Sequence, residues 1–288
     1  MLNEGKMDSS SSSLLAKLRG FIEEDVGSGD VTSIIVDDRL VEAEIICKEH
    51  AVIAGIEEAV ALFNLLNCNA ETMVRDGSVV EPDTVIMHIH GNARAVLAVE
   101  RTALNLLMRM SGIATYTRKY VEMAKSVNPN VKIASTRKTA PGLRLLDKKA
   151  VALGGGYMHR LGLYDMVLIK DNHIALIGSV AKAVRLAKEL HNSRYRIEVE
   201  VRSLEEAIEA VENGADVIML DNLGVDDVAK IVEELKGRGL RDKVMIEVSG
   251  GINEENIIDY ARLDVDMISI GRITHSAKAI DMSLEILI

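Results

Sequence analysis

The stretch from Ser135 to His173 reads STRKTAPGLRLLDKKAVALGGGYMHRLGLYDMVLIKDNH. Between Lys132 and His173 lie eight Lys or Arg and three acids, a net charge of +5 (8 − 3) in a chain whose formal charge is −10. These charged residues occur in pairs next to apolar strand segments, and three consecutive glycines lie within the stretch. A cationic island in an acidic chain attracts small anions, so we interpret the stretch as a binding site rather than a solvated face.

Short apolar strands alternate with helical patterns on both sides of this stretch, from Gly112 onward. The strands are predicted at residues 131–134, 166–169, 196–201, 217–220, 244–248 and 267–270. The helices are predicted at residues 142–153, 179–191, 204–213, 225–236 and 253–262. This alternation predicts a parallel sheet, open or closed into a barrel. No GxGxxG follows the first strand, which favours the barrel over a dinucleotide-binding sheet.

The first hundred residues have a different pattern. Residues 1–13 end in five serines and are predicted to be disordered, with a short helix after them at residues 14–24. Residues 41–91 carry short strands around a helix at 56–66, which indicates an α+β layer with a small mixed or antiparallel sheet. Residues 93–110 form a strongly apolar helix with Arg101 in its middle. A guanidinium is costly there unless it reaches an anion or an acid such as Glu100.

Composition limits the class of protein. The 288 residues suffice for one large or two ordinary domains, and we find no apolar run of membrane-spanning length and no secretory leader. Two cysteines without metal spacing suit a reducing cytoplasm. With no Trp, two Phe and a pI near 5.3, we expect neither a nucleic-acid partner nor a membrane partner.

Polar residues or glycines follow each predicted barrel strand, where a parallel barrel collects its chemistry. They are Ser135–Thr139, Lys170–His173, Glu198 with Glu200, Asp221–Asn222, Ser249–Ile252 and Gly271–His275. Arg137 and Arg160 can bind carboxylates or phosphates through two hydrogen bonds each. The glycines after Ser249 precede a predicted helix and indicate a phosphate cradle at its N-terminus.

Glu200 and Asp221 offer only hydrogen-bond acceptors at these strand ends. They suit sugar hydroxyls or a Mg²⁺ ion that bridges to a polyphosphate. Simple pairing with Lys170 and Lys138 would also satisfy them without any metal. The residues alone leave both interpretations open.

The chain closely resembles the quinolinate phosphoribosyltransferases. The residues that carry the resemblance are ERTALNLLMRMSGIAT (100–115), STRKTAPGLRLLDKKAVALGGGYMHRLGLYDMVLIKDNHI (135–174), EVEV (198–201), MLDN (219–222), VSGGI (248–252) and ISIGRITHSA (268–277). The resemblance implies an N-terminal α/β sandwich (residues 14–112) and an incomplete parallel α/β barrel of six to seven strands (residues 113–275). A C-terminal helix at 276–288 is expected to pack on the sandwich.

The resemblance also implies a reaction and an assembly. Quinolinate and phosphoribosyl pyrophosphate would give nicotinate mononucleotide, pyrophosphate and CO2, with Mg²⁺ as cofactor. The assembly would be a homodimer with shared active sites, or a hexamer built as a trimer of dimers.

Roles for individual residues follow from the same resemblance. Catalytic residues would be Lys138, Lys170, Glu200 and Asp221, with Glu200 and Asp221 also near the metal. Quinolinate would be bound by Arg101 of the neighbouring subunit and by Arg137, His159 and Arg160, with Lys138 beside it. Phosphoribosyl pyrophosphate, its ribose or its metal would contact Lys170, Glu200 and Asp221, and its 5′-phosphate would contact Ser249, Gly250, Gly251 and Gly271, with His275 near the rim. Thr136, Ile270 and Arg272 would be further substrate-binding residues.

Two details accompany this assignment. Lys148 and Lys149, on the intervening helix, are expected to be solvated. Met158 stands where many family members carry Asn, which puts a hydrogen bond next to His159 in doubt.

Two alternatives remain at this stage. A Schiff-base lyase would use Lys138 or Lys170 as an amine nucleophile. A relative associated with molybdate transport would use the same scaffold for another ligand, although the three arginines favour a dicarboxylate.

Overall fold

The computed structural model describes residues 4–192 and 194–287. The chain divides into two compact units: Met1–Thr115 with Lys278–Ile288, and Tyr116–Ala277. Across the described residues, no helix is both long enough and apolar enough to cross a lipid bilayer.

Helices and strands follow one another along the chain with these bounds. The helices are α1 Glu4–Val26, α2 Ile56–Leu65, α3 Ala93–Lys125, α4 Arg144–Leu153, α5 Asp171–Ile177, α6 Val180–His191, α7 Leu204–Glu212, α8 Val225–Gly237, α9 Ile257–Ala261 and α10 Arg272–His275. The strands are β1 Leu40–Cys47, β2 Ala51–Val52, β3 Asn69–Thr72, β4 Val79–Val80, β5 Thr84–Asn92, β6 Lys132–Ala134, β7 Val167–Ile169, β8 Ile197–Val201, β9 Val217–Asp221, β10 Met245–Ser249, β11 Met267–Ser269 and β12 Met282–Leu287.

The first unit is built on a four-stranded antiparallel sheet with strand order β12-β1-β5-β3. Alternate residues of β1 are buried, among them Ala43, Ile45 and Cys47, as expected for a sheet with one face on a core. The predicted C-terminal helix at 276–288 is wrong, because Met282–Leu287 is a strand paired antiparallel with β1. Apolar and polar residues alternate in Met282–Leu287, a pattern typical of a β-strand and not of an amphipathic helix.

Two helices are longer than predicted. Helix α1 begins at Glu4, so the structure has helix over residues 4–13, where disorder was predicted; residues 1–3 lie outside the described residues. Helix α3 continues to Lys125, past the break predicted at Ser111-Gly112. Gly112 does not end the helix; a Cβ there would overlap the Lys278 carbonyl and lie 3.0 Å from its carbon. The glycine therefore serves close backbone packing.

The second unit contains a six-stranded parallel sheet with strand order β6-β11-β10-β9-β8-β7. This is the cyclic order of a barrel that is open between its first two strands, so the predicted incomplete parallel barrel is confirmed. All six predicted strands occur with bounds within one residue of the prediction. The short helices α5 and α10 were not predicted.

Candidate active site

A cavity of about 520 Å³ lies at the carboxyl ends of the barrel strands. Eleven predicted site residues line it: Thr136, Arg137, Lys138, His159, Arg160, Lys170, Glu200, Asp221, Ser249, Gly250 and Gly251. Because parallel strands end at the same edge of the sheet, residues more than a hundred positions apart meet in one cavity.

The remaining predicted residues lie elsewhere. Ile270 is buried and its N–H donates to Ala134 at 2.8 Å. Gly271 is next to Lys138: a Cβ on Gly271 would lie 3.0 Å from the Lys138 Cδ. Arg272 and His275 are exposed on α10. This segment therefore borders the Lys138 side of the cavity without lining it.

Arg101 belongs to the other compact unit. Its side chain is 58% exposed, with a guanidinium nitrogen 3.8 Å from the Glu100 carboxylate. The pairing with Glu100, one of the two ways in which the helix could tolerate this guanidinium, is therefore present, and the side chain is exposed to solvent.

Two arginines in the cavity are partly buried without an acidic partner. In the described part of the chain, neither Arg137 nor Arg160 forms a salt bridge, and the buried Nε of Arg137 has no hydrogen-bond partner. Burial lowers the pKa of Arg160, and the nearby positive charge of Arg137 lowers it further, whereas the negative charges of Glu198, Asp165 and Glu247 act in the opposite direction. The mutual repulsion of the two arginines favours an anion bound between them.

Acidic residues lie on the opposite side of the cavity. The Lys170 Nζ donates to Glu200 Oε2 at 2.6 Å, and Arg202 approaches the other oxygen of Glu200 at 3.7 Å. Asp221 accepts a hydrogen bond from the Asn222 side chain at 2.7 Å. The expected Lys170–Glu200 pair is therefore present, whereas the described residues include no Lys138–Asp221 pair. Lys170 lies in an ion pair, which does not suit an amine nucleophile.

The glycine loop after β10 adopts left-handed backbone, with φ of 90° at Gly250 and 64° at Gly251. A Cβ on Gly250 would lie 2.5 Å from the Asn222 side-chain carbon and 2.8 Å from the Asn222 backbone nitrogen. The following helix begins only at Ile257 and has five residues. The prediction that a helix N-terminus directly follows the glycines is therefore wrong, although the glycine loop itself lines the cavity.

His159 lies on the floor of the cavity with its side chain 6% exposed. Its Nε2 is 3.0 Å from Glu247 Oε2 and 3.2 Å from Glu198 Oε2. Burial alone would lower the pKa of His159, but the close contacts with the two glutamate carboxylates and their negative charges outweigh it and raise the pKa to about 9. The imidazole is therefore protonated at neutral pH and adds to the cationic side of the cavity.

Lys148 contradicts the expectation that it is solvated. It is fully buried, and its Nζ donates to Ser135 Oγ at 3.1 Å and to the Met158 carbonyl. Burial lowers the pKa of Lys148 to about 8, helped by the positive charge of Arg144. The lysine fixes the backbone directly before His159. Lys149 is half-buried.

The sequence reasoning assigned no role to six further residues of the cavity wall: Ser135, Leu168, Met219, Asn222, Glu247 and Ser269. Five of them, all except Asn222, stand two positions before a predicted site residue, on the same strand or in the extension directly after it. Successive side chains of a strand point to opposite faces, so residues two apart line the same face. That periodicity was the signal that could have found them.

A second cavity, of about 340 Å³, lies at the amino ends of the same strands, where Lys132, Val217 and Met245 line it. His159 and Arg160 border both cavities. In barrels of this kind chemistry occurs at the carboxyl ends of the strands, and the charged strand-end residues converge there. We therefore assign the active site to the larger cavity.

An incomplete parallel barrel with a cationic cavity at its strand ends, faced by two carboxylates, defines a class of α/β-barrel enzymes for small anionic substrates. Two family models match the chain: the N-terminal domain of quinolinate phosphoribosyl transferase over residues 30–111 and its C-terminal domain over residues 113–285. The chain belongs to the quinolinate phosphoribosyl transferase family.

Individual relatives agree with this assignment. The chain is 49% identical, over 90% of its length and 98% of the relative's, to a probable nicotinate-nucleotide pyrophosphorylase [carboxylating] of Archaeoglobus fulgidus. It is 35% identical, over 95% of its length and 91% of the relative's, to the nicotinate-nucleotide pyrophosphorylase [carboxylating] of Rattus norvegicus. The solved nicotinate-nucleotide pyrophosphorylase of Francisella tularensis superposes with a TM-score of 0.87 at 38% identity, covering 95% of this chain and 96% of the other.

Proposed function

We propose that this enzyme transfers phosphoribosyl from phosphoribosyl pyrophosphate to quinolinate, with loss of CO2, and so makes nicotinate mononucleotide for NAD biosynthesis. The family assignment supports the reaction as a whole. One observation carries the assignment to this cavity: in the described residues neither Arg137 nor Arg160 forms a salt bridge, and the buried Nε of Arg137 has no hydrogen-bond partner. A pyridine dicarboxylate would supply the directly bound carboxylates that these guanidinium groups lack.

Binding of the two substrates divides between the two sides of the cavity. Arg137, Arg160 and the protonated His159 hold the two carboxylates, since guanidinium groups bind carboxylates through two parallel hydrogen bonds. Lys138 lies beside them as a point charge. On the other side, Lys170 and the loop at Gly250 bind the phosphates, where backbone without side chains allows close approach.

The transfer step needs positioning and charge stabilisation more than a general base. The pyridine nitrogen attacks the anomeric carbon of the ribose, the bond from that carbon to the pyrophosphate oxygen breaks, and pyrophosphate leaves with the electron pair. Positive charge builds on the ribose ring during this step, and the Glu200 and Asp221 carboxylates offset it. Lys138 and Lys170 stabilise the departing pyrophosphate.

Decarboxylation follows on the same ring. The electron pair of the breaking bond between the ring and the adjacent carboxylate stays on the ring carbon, where the positive charge of the neighbouring quaternary nitrogen stabilises it. CO2 leaves, and the ring carbon takes a proton from solvent. Arg137, Arg160 and His159 orient the carboxylate before the bond breaks.

Mg²⁺ is part of the proposal. Glu200 and Asp221 fit it, because both are carboxylates that line the cavity and Mg²⁺ prefers oxygen ligands, including substrate phosphates. Bound there, the ion would neutralise charge on the pyrophosphate. The two free, buried cysteines also agree with the expected cytoplasmic location.

We also propose a homodimer in which Arg101 of the neighbouring subunit completes the quinolinate site. The exposed guanidinium, paired only loosely with Glu100 at 3.8 Å, is available for an anion outside its own chain. A hexamer formed from three such dimers would preserve the same sites.

One assay tests the reaction. Purified enzyme with phosphoribosyl pyrophosphate is given quinolinate or nicotinate, and CO2 and nicotinate mononucleotide are measured. We expect turnover of quinolinate only, and its loss in Arg137→Ala and Lys138→Ala with the melting temperature retained. Turnover of nicotinate but not quinolinate would contradict the assignment of the arginines, and normal turnover in both variants would contradict the location of the site.

Hybrid dimers test the shared site. Arg101→Ala and Lys138→Ala subunits, each inactive alone, are co-expressed with different tags, and the hybrid is isolated through both tags. If Arg101 acts across the dimer, one of the two sites is intact and the hybrid has about half of wild-type activity. If Arg101 acts within its own chain, both sites are damaged and the hybrid is inactive.

A further inference from the structure

Two glutamates inside the barrel contact the same nitrogen of His159. Glu198 of β8 and Glu247 of β10 have no exposed side-chain surface, and their carboxylates lie 3.2 Å and 3.0 Å from the His159 Nε2. The strand register places Glu247 level with Met219 and Glu200, and Glu198 one layer deeper, level with Val217. The histidine ring is therefore held from two levels of the barrel.

One N–H cannot serve both carboxylates. The Nε2 is aligned for a hydrogen bond with Glu247 only, and in the described residues both Glu198 oxygens and Glu247 Oε1 are buried without a hydrogen-bond partner. Buried carboxylates without partners cost stability. An apolar pair would fill this position at less cost, so the acids call for a role beyond packing.

The backbone of His159 gives a second, independent observation. Its φ of 56° lies in the left-handed region, which costs a residue with a side chain about 1 kcal/mol. Ser135 and Lys148 hold the preceding carbonyl, that of Met158. The chain is thus held from outside in a strained conformation that directs the ring between the two acids, and strain of this kind collects at functional sites.

We propose that Glu198 and Glu247 are positioning residues that act through His159, fixing its ring as a cation on the floor of the cavity to receive a carboxylate of quinolinate. This inference rests on the proposed function and deepens it. Neither glutamate touches the substrate. Their carboxylates hold the ring orientation and balance its charge, while Arg137 and Arg160 supply the remaining cations of the same subsite.

Electrostatics agree with this arrangement. Burial raises the pKa of Glu198, and the negative charge of Glu247 raises it further, whereas the pKa of His159 is raised to about 9. The contact with His159 acts on Glu198 in the opposite direction and lowers its pKa. The ring and the two acids therefore favour each other's charged forms, and the imidazole stays charged in a buried place where it would otherwise be neutral.

A double-mutant cycle tests the proposal. Glu247→Gln and Glu198→Gln keep shape and remove charge, and His159→Asn removes the ring while Asn accepts left-handed backbone. We expect each glutamine variant to raise the KM for quinolinate about tenfold, with the KM for phosphoribosyl pyrophosphate within about twofold of wild type. In the His159→Asn background the glutamine substitutions add nothing, because the residue through which they act is gone.

Glu209→Gln is the matched control, since Glu209 accepts a backbone hydrogen bond on the barrel's outer helix α7 at 2.8 Å and does not line the cavity. Three outcomes would each overturn the positioning role. The effects of the single substitutions on the KM for quinolinate could multiply in the double variants, the KM values of both substrates could rise equally, or loss of a negative charge could tighten quinolinate binding. A stoichiometric metal lost in Glu247→Gln would overturn it as well. If wild-type enzyme does not turn over quinolinate, the proposed function fails instead.

Discussion

Gly250→Ala and Gly251→Ala form a matched pair at the end of β10. Both positions have left-handed backbone, at φ of 90° and 64°, so an alanine at either costs about 1–2 kcal/mol of strain. Only at Gly250 does the new methyl group meet a neighbour, 2.8 Å from the Asn222 backbone nitrogen, whereas at Gly251 nothing lies within 4 Å. The clash adds about 1–3 kcal/mol, because backbone must shift to relieve it.

The expected difference of about 2 kcal/mol between the two variants corresponds to about 5 °C in melting temperature. The same shift reaches the cavity, because Asn222 donates its backbone N–H to Ser249 and its side chain to Asp221. Gly250→Ala should therefore raise the KM for phosphoribosyl pyrophosphate about tenfold or more, since small misplacements of a site are costly. Gly251→Ala should raise it less, since the added methyl group meets no neighbour.

Thermal denaturation and initial rates at varied phosphoribosyl pyrophosphate measure both effects. Equal melting temperatures and equal KM values in the two variants would refute the reasoning from close approach. In that case the loop would move freely around an added methyl group.

Three further predictions concern buried groups. The pKa of Lys148 is about 8 in the folded chain and 10.5 in the unfolded chain. Burial of the ammonium therefore lowers the free energy of unfolding by about 3 kcal/mol below pH 8, and this cost decreases as the pH rises towards 10.5. Wild type should therefore gain stability relative to Lys148→Met across this range in pH-dependent denaturation; a constant difference would contradict a buried ammonium. His159 loses its charge above its pKa of about 9, so the KM for quinolinate should rise there in wild type and not in His159→Asn. Gly112→Ala places a methyl group against the Lys278 carbonyl and should lower the melting temperature by several degrees, about 2–4 °C per kcal/mol, whereas Gly20→Ala, with nothing within 4 Å, should not; equal values would contradict tight packing at Gly112.

Much of the barrel was predictable from local pattern. Strand β8 was predicted at residues 196–201 and lies at Ile197–Val201, because branched apolar residues that alternate with polar ones are typical of a β-strand. Breaks were harder. Ser111-Gly112 looks like a helix end, yet α3 continues to Lys125, since packing against another segment overrides local propensity.

The sequence by itself determined the alternating strands and helices, the cationic strand ends and the residues that carry the family resemblance. Only the tertiary structure decided which charges are buried: Lys148 against the Met158 carbonyl, and Glu198 and Glu247 around His159. The physical reason lies in the strands. In β8 apolar residues alternate with Glu198 and Glu200, a pattern typical of a strand with one solvated face, yet every residue of the strand is buried. The partners of the two glutamates come from distant segments that meet only when the sheet curls.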